Sequence, residues 1–580
     1  MGLPYYSFSY PHSFEDALSR AAELSSIDRS YWDIFHHQHH ISPDGLRSIL
    51  SSLGWDVSSQ EAIQQKLLSR FEEDLRRPAK ETSVISESDK AIELTLMHDA
   101  SGSIVFRMEL ESGAALRGSV EISQLQGLRE LSSPTFGARV YRLPLPAEMP
   151  LGYHRLHLSL NGKPLADINV VVCPDRAYLP EALAHGGKTA GFNVTLYGLR
   201  SDRNWGCGDF TDLHALVEWA HRALGLSFVG LNPLHALHNR VPYNTSPYLP
   251  LSVYYKNHIY IDVERVPEFA HSRWAQALRR SPITEARILS ARDSEFVAYH
   301  EVDVLKQRFL KLLYREFKRS AATARTKAFA AFCQQEGELL NKYALYRALD
   351  EILHKQDRTR WTWRDWPAEY HDPDSPASRT FAAAYPRTIE YYKYLQFVLE
   401  EQLQAAQSYA KKIGMSIGLY HDLAVATDSC GSDLWAHGRF YVDGCRVGAP
   451  PDDFSPKGQD WGFPPPNGKA HSEDGYLLYR ESIRKIVRTG GALRIDHVMR
   501  LFRLFWIPVG MEAAQGTYVR DNATDLMRIL ALESVRSQNI IIGEDLGTVT
   551  DEIRDMLGRF RILSYRLFYF ERSRDGYFNP

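Results

Sequence analysis

Between Ser13 and about Arg77 the apolar residues recur at three- and four-residue spacing. In LRSILSSLGW, Leu46, Ile49, Leu50 and Leu53 share one face, and the turn signals SPDG and DVSS interrupt the pattern. This predicts a small helical region. Near Ile92 the period changes to two: AIELTLMHD alternates at Ile92, Leu94 and Leu96, and SIVFRMELE and YHRLHLSLNG follow the same rule of half-buried strands. The pattern divides this part of the chain into an amino-terminal helical region over 1–84 and a β-sandwich over 85–178. The sandwich shows no catalytic constellation, so a glycan-binding module and a purely packing role are both open.

From Gly191 onward, short apolar runs end in Gly, Asn, Asp or His and lead into helix-compatible segments, the rhythm of a β/α barrel. Candidate strands lie at 192–199, 227–234, 416–423, 491–496, 539–545 and 562–570. The expected fold is therefore α/β, a TIM-type (β/α)8 barrel over 179–580 with about six of its eight strands present. The second and third candidates are too far apart for one βα unit, which calls for an inserted subdomain over about 255–410. Its pattern is helical. VLKQRFLKLLYREF sets Leu305, Phe309, Leu312 and Leu313 on one stripe, and EYYKYLQFVLEEQLQAA turns Tyr391, Leu395 and Val398 inward, both as helix packing.

Composition narrows the function classes. Hydrophobic residues make up 44% and charged residues 24%, as in ordinary globular chains. The net charge is −3 and no long Lys/Arg run tracks a phosphate backbone, which argues against a nucleic-acid partner. No apolar run is long enough to span a membrane, and MGLPYYSFSYPHSFEDA lacks the basic and apolar regions of an export signal, so a cytoplasmic location without membrane attachment is expected. Cys173, Cys207, Cys333, Cys430 and Cys445 are odd in number and scattered, which suits reduced thiols and gives no zinc spacing. His36, His37, His39 and His40 are the one metal-like cluster. On a helix His36 and His40 would share a face, but no carboxylate or thiol is placed to complete a ligand set, so a partly solvated helix end is expected and no metal.

In a β/α barrel the carboxyl ends of the strands carry the chemistry. ALRIDHVMRLFRLFW closes an apolar strand with Arg494, Asp496 and His497, and alternation puts Arg494 and Asp496 on one face. A guanidinium beside a carboxylate keeps it ionised, as a carboxylate nucleophile requires; a simple ion pair is the competing structural reading. NIIIGEDLGTVTDEI ends the next strand in Glu544 and Asp545. Two carboxylates on adjacent strand ends are able to face one glycosidic bond, with Glu544 as proton donor and then base, whereas Asp545 better suits a helix N-terminus. Trp205, Tyr248 and Trp461 stand in Gly- and Pro-rich loops, where exposed rings stack on sugars or simply pack. Tyr420, His421 and Asp422, followed by Asp428 and Asp433, offer polar groups to glucose hydroxyls.

Together these segments resemble glycoside hydrolase family 77, the 4-α-glucanotransferases also called amylomaltases or disproportionating enzymes. LYGLRSDRNWGCGDFTDL, NPLHALHNRVPYNTSPYLPLSVYYKNHIYIDVE, VGAPPDDFSPKGQDWGFPPPN, ALRIDHVMRLFRLFWIP and IIGEDLGTVTDEI look like that family. The likeness is strong over about 190–570 and looser before it, as in the longer bacterial type with amino-terminal extension domains. It implies Asp496 as nucleophile, Glu544 as acid/base, Arg494 beside the nucleophile, and Tyr248 and Trp461 lining donor and acceptor subsites. Asp422, His497 and Trp205 complete the expected sugar-binding set. It further implies retaining transfer among maltose, maltooligosaccharides and glycogen-type glucans, with no metal or organic cofactor.

Members of the family also carry a third essential carboxylate, in a Thr-His-Asp motif at the end of the seventh strand. No counterpart occurs here, and the six-strand count agrees, so a carboxyl-terminally truncated chain of little or no transferase activity is expected. Two other readings fit the residues: a retaining α-glucan hydrolase, which gives only shorter products, and an inactive glucan-binding protein.

Overall fold

Three serines begin the helices that the amino-terminal spacing predicts. Ser13, Ser42 and Ser59 each accept the backbone N–H three residues on, at 3.1 Å, capping Phe14–Leu24, Pro43–Ser52 and Gln60–Arg76. The computed structural model describes residues 3–33, 37–240, 244–319, 323–452, 455–546, 549–568, 571–573 and 575–578. The chain forms two units. One joins Met1–Tyr178, Arg439–Glu481 and His497–Pro580; the other joins Leu179–Gly438 and Ser482–Asp496.

In the first unit the histidine cluster departs from expectation. Ser30–Trp32 and Gln38–His40 form an antiparallel hairpin, not a helix. Tyr31 lies opposite His39, their rings stack at 5.2 Å, and His39 Nε2 lies 2.7 Å from Asp33 Oδ2. The aromatic cross-strand pair favours the extended form. His36 lies outside the described residues. Among those described, no group of three or more His, Cys, Asp or Glu is arranged to hold a metal ion.

The sandwich follows. One sheet runs Tyr5–Ser7, Gln126–Ser132, Gly137–Pro144, Ala91–Met97; the other runs Thr82–Ser86, Lys163–Cys173, Gly152–Leu160, Ser103–Glu109, Ala115–Glu121. Alternation decides the core: Ile92, Leu94, Leu96, Ile104, Phe106, Met108, Leu156 and Leu158 all point inward. The same unit holds an antiparallel sheet in the order Gln459–Asp460, Cys445–Ala449, Arg503–Pro508, Thr517–Arg520. It ends with the parallel pair Ile540–Gly543 and Leu563–Ser564, joined through the helix Asp551–Arg559. Of the candidate strand at 562–570 only Leu563–Ser564 is extended; residues 569 and 570 lie outside the description.

The second unit carries four parallel strands, Gly191–Val194, Phe228–Leu231, Gly418–Leu423 and Ala492–Ile495, adjacent in that order. With the two above, six βα strands of the barrel are described. They are shorter than their sequence candidates because the polar strand ends leave the ladder to form loops. Asp209 opens the first crossover helix, Phe210–Leu224, with a capping box, and Gly225 closes it in the left-handed conformation.

Between the second and third strands lies the helical insertion, with Pro282–Asp293, Tyr299–Arg319, Ala324–Gln356, Pro376–Ala384 and Pro386–Lys412. Leu305, Phe309 and Leu313 are buried as expected, as are Tyr391, Leu395 and Val398. Leu312 is not; Leu310 takes its place. Among the described residues no helix is long and apolar enough to cross a membrane.

Candidate active site

The second unit brings four of the predicted residues together. Arg494 and Asp496, at the end of Ala492–Ile495, are two residues apart and so share a face. The parallel register sets Asp422, near the end of Gly418–Leu423, beside Arg494. Arg494 Nη1 donates to Asp422 Oδ1 at 2.8 Å and Oδ2 at 3.0 Å, and lies 2.8 Å from Asp496 Oδ1. The Tyr248 hydroxyl donates to Asp422 Oδ2 at 2.9 Å. One guanidinium thus joins two carboxylates, and a phenol takes up a remaining lone pair of the more buried one.

The electrostatics follow from burial. Asp422 is 7% exposed; desolvation pushes its carboxyl up to about 6, Arg494 pulls it down and Asp496 pushes it up again. Burial and the Asp422 charge raise the Tyr248 phenol well above its ordinary value, so it stays a donor. Burial would lower Arg494, but Asp422 and Asp496 override it and keep the guanidinium charged.

The loop that presents Tyr248 is pinned from below. Asn244 accepts the Ser246 N–H at 2.7 Å and donates to Leu249 O at 2.9 Å. Asp428, offered above as a sugar ligand, accepts the Cys430 N–H at 2.8 Å, and its own N–H donates to Pro250 O. Asp433 is 3% exposed and accepts from Val253 N at 2.8 Å and Ser432 Oγ at 3.3 Å. Burial pushes its carboxyl up to about 7, against the pull of those hydrogen bonds. Asp428 and Asp433 therefore hold the loop instead of projecting toward a sugar. His421 likewise faces inward, with Nε2 2.9 Å from Thr489 O.

In the first unit, Glu544 follows the strand Ile540–Gly543, and two backbone groups donate to its carboxylate: Oε2 accepts the His497 N–H at 3.0 Å and Oε1 the Leu546 N–H at 2.9 Å. The His497 N–H belongs to the peptide bond that follows Asp496. His497 has φ 47°, a left-handed conformation uncommon outside glycine. Its ring meets the half-exposed Trp461 ring edge-on at 5.2 Å, and desolvation lowers it to about 4, so it is neutral near pH 7. Trp461 in turn stacks on buried Phe463 at 6.1 Å. Asp545 does not cap a helix as expected. It accepts from Ser564 Oγ at 2.5 Å and Tyr565 N at 3.0 Å, tying down the neighbouring strand.

Trp205 departs from expectation. Its ring is 3% exposed, packs on Phe309 at 4.8 Å, and its Nε1 donates to Glu264 Oε1 at 3.1 Å. It is a core residue, not an exposed stacking platform. In the same motif, SDRNWGCGDFTDL, Arg203 bridges Asp209, Asp212 and Asp262. Gly206, at φ 88°, sits where a Cβ would lie 2.7 Å from the Ala291 backbone. The coupling of Tyr248 to Asp422 was not visible in the sequence, because the two residues belong to different βα loops.

Residues 194–580 match the family described as 4-alpha-glucanotransferase, glycoside hydrolase family 77, and residues 80–174 match the MalQ N-terminal beta sandwich domain. The 4-alpha-glucanotransferase of Mycobacterium tuberculosis (strain H37Rv) is 35% identical over 570 residues, covering 96% of this chain and 76% of that protein. That of Haemophilus influenzae is 37% identical over 442 residues, covering 75% of this chain and 62% of its own length. The crystal structure of amylomaltase from Corynebacterium glutamicum superposes with a TM-score of 0.82 at 29% identity, over 97% of this chain and 76% of that one.

Proposed function

The chain belongs to the 4-alpha-glucanotransferase family and its activity is that of a 4-alpha-glucanotransferase; from that premise we propose that Asp496 is the nucleophile and Glu544 the acid/base of a retaining transfer. Glu544 protonates the glycosidic oxygen while an Asp496 carboxylate oxygen attacks the anomeric carbon, giving a glucosyl ester and a released glucan. Glu544, now a carboxylate, takes the proton from the 4-hydroxyl of a second glucan as that oxygen displaces Asp496. Two inversions return the α configuration.

The observation that carries the reading is the Arg494 guanidinium at 2.8 Å from Asp496, backed by Asp422 and Tyr248. It fixes the position of the attacking carboxylate. Tyr248 is the donor-side contact and the half-exposed Trp461, with His497 against it, the acceptor-side platform. Asp422 acts through Arg494. The substrates on this reading are maltose, maltooligosaccharides and glycogen-type glucans, and five unpaired cysteines suit a reducing cytoplasm. Neither hydrolysis nor glucan binding without turnover is favoured by the family or the relatives.

Two substrates separate the roles. On maltotriose, Glu544→Gln loses roughly 10²–10⁴ in rate, and Asp496→Asn loses the ladder of longer products. With an α-maltosyl fluoride donor, whose leaving group needs no proton, Glu544→Gln recovers the first step, read as a burst of released fluoride, and Asp496→Asn does not. A Glu544→Gln enzyme equally impaired on both donors overturns the assignment.

A further inference from the structure

The loop that carries Tyr248 is laced over residues 250–253 to residues 427–433, which follow the strand Gly418–Leu423. The backbone N–H groups of Asp428 and Ser432 donate to Pro250 O and Leu251 O at 2.8 and 2.9 Å. The Thr427 hydroxyl lies 3.1 Å from Pro250 O and 3.3 Å from Leu251 O, and Ser432 Oγ lies 3.1 Å from Leu251 O. Asp433 closes the lacing with Oδ2, which accepts the Val253 N–H. The same strand carries Asp422, which accepts the Tyr248 hydroxyl. Only Leu249 separates Tyr248 from Pro250, so the place of the phenol depends on this clamp.

Counting protons shows where the clamp is adjustable. Ser432 has one hydroxyl proton and two acceptors in reach, Leu251 O at 3.1 Å and Asp433 Oδ1 at 3.3 Å. As a carboxylate, Asp433 only accepts, and it competes with Leu251 O for that proton. Once protonated, it donates to Ser432 Oγ, and the Ser432 proton is left for Leu251 O. The neutral acid thus ties the loop with one more hydrogen bond than the anion does.

No cation answers the charge instead: among the described residues Asp433 enters no ion pair, and the Ser252 and Thr427 hydroxyls complete its polar surroundings. The titratable groups that face it are Tyr255 of the strand Ser252–Lys256 and Tyr343 of the helix Ala324–Gln356, phenols that burial raises and so keeps neutral. His437, one turn on in the helix Ser432–His437, meets the Tyr254 ring at 6.4 Å. The cations beside the two phenols are engaged elsewhere, Arg347 by Tyr343 and Lys485 and Arg488 by Glu336. The raised Asp433 carboxyl follows from this setting.

We propose that Asp433 is a positioning residue for glucan transfer, which in its protonated form tightens residues 250–253 and so sets the Tyr248 hydroxyl against Asp422. The proposal rests on the reading of Tyr248 as the donor-side contact and adds a proton-dependent support to it. Asparagine at this position is a fixed copy of the protonated acid, its oxygen toward the Val253 N–H and its amide N–H toward Ser432 Oγ.

Steady-state disproportionation of maltotriose by the full chain, followed from about pH 5.5 to about pH 8.5, tests it. The kcat/KM of Asp433→Asn, divided by that of the parent, rises about threefold or more across this range, because the amide has no such proton to lose. Asp433→Ala removes the clamp and lowers kcat/KM about tenfold in the parent, but less than about twofold in a Tyr248→Phe background, where the hydroxyl to be positioned is gone. Ser432→Ala leaves the carboxyl and breaks the relay, so it loses the same part of the pH dependence; it carries the test if alanine at position 433 prevents folding. A ratio of Asp433→Asn to parent that is constant with pH overturns the proton-dependent support. Losses from Asp433→Ala and Tyr248→Phe that simply multiply overturn the action through Tyr248. A Tyr248→Phe enzyme as fast as the parent removes the donor-contact reading itself, and the proposal with it.

Discussion

At the residue scale the site rests on one guanidinium shared by two carboxylates, and the second carboxylate depends on a phenol. Tyr248→Phe removes the 2.9 Å hydrogen bond to Asp422 and leaves a buried lone pair unanswered. A hydrogen bond to a charged group is worth roughly 1.5–3 kcal/mol, so kcat/KM for transfer should fall about tenfold or more. Asp433 supports a pH prediction. Its carboxyl sits at about 7 in the folded protein because of burial, against an ordinary 3.8. A folded-state pKa raised in this way makes the native state bind a proton that the unfolded chain does not hold between about pH 4 and pH 7. Stability from this group is therefore fully present below that window and lost as pH rises through it, by at most about 1.4 kcal/mol per unit. Asp433→Asn should melt with less loss between pH 5 and pH 8 than the parent; parallel melting curves would remove Asp433 as the cause. The sequence made Asp496, Arg494 and Asp422 visible, since strand-end polar residues stand out against apolar runs. It did not separate Asp433 and Asp428 from sugar ligands, because a carboxylate that caps a loop from inside looks the same as one that faces a cleft. Trp205 misled for a similar reason: its glycine-rich surroundings read as an exposed loop, yet those glycines allow close packing around a buried ring.

At the element scale, periodicity located the helices and the sandwich strands because each buries one face. It was weaker for the barrel strands, which are buried on both faces and show no alternation, so their candidates ran past the true ends, Val194 for instance being the last strand residue of the first. The hairpin at Ser30–His40 was hidden because three-residue strands carry too little pattern, and a histidine run has no marked preference. The helix Tyr299–Arg319 gives a quantitative check on face assignment. Phe309 is fully buried under Trp205, and Phe309→Ala should cost about 3–5 kcal/mol. Leu312, on the same apolar run but partly exposed, should cost no more than about 1 kcal/mol as Leu312→Ala. Urea denaturation of the two variants decides, and equal losses would mean that the helix is rotated from the face described.

At the scale of the whole molecule, the amino-terminal sandwich and the segment carrying Glu544 belong to one unit although more than three hundred residues of sequence separate them. The joint is specific. Arg528 donates to Val84 O at 2.7 Å, Tyr153 to Glu533 Oε1 at 2.7 Å, and Tyr178 N to Ser534 Oγ at 2.9 Å, so one helix, Ala523–Ser537, is docked on the sandwich along its length. Arg480 and Arg536 lie over the Tyr153 ring at 4.4 and 5.3 Å. That helix leads into the strand Ile540–Gly543, and Glu544 follows the strand's last residue. The sequence left open whether the sandwich binds glycan or only packs, since periodicity reveals which face of a strand is buried within its own sheet pair and says nothing of what docks outside. The joint makes packing a contribution to the proposed acid/base. Tyr153→Ala removes the hydroxyl from Glu533, which is 1% exposed, and the ring from two guanidinium groups. It should destabilise the joint by about 2 kcal/mol or more. Hydrogen exchange should then accelerate across 523–543, and kcat for disproportionation should fall although Tyr153 touches no substrate on this reading. Unchanged protection over 523–543 would show that the helix holds Glu544 in place without help from the sandwich. A substitution elsewhere on the same sheet, Val105→Ala at an exposed position, should leave both readouts where they were.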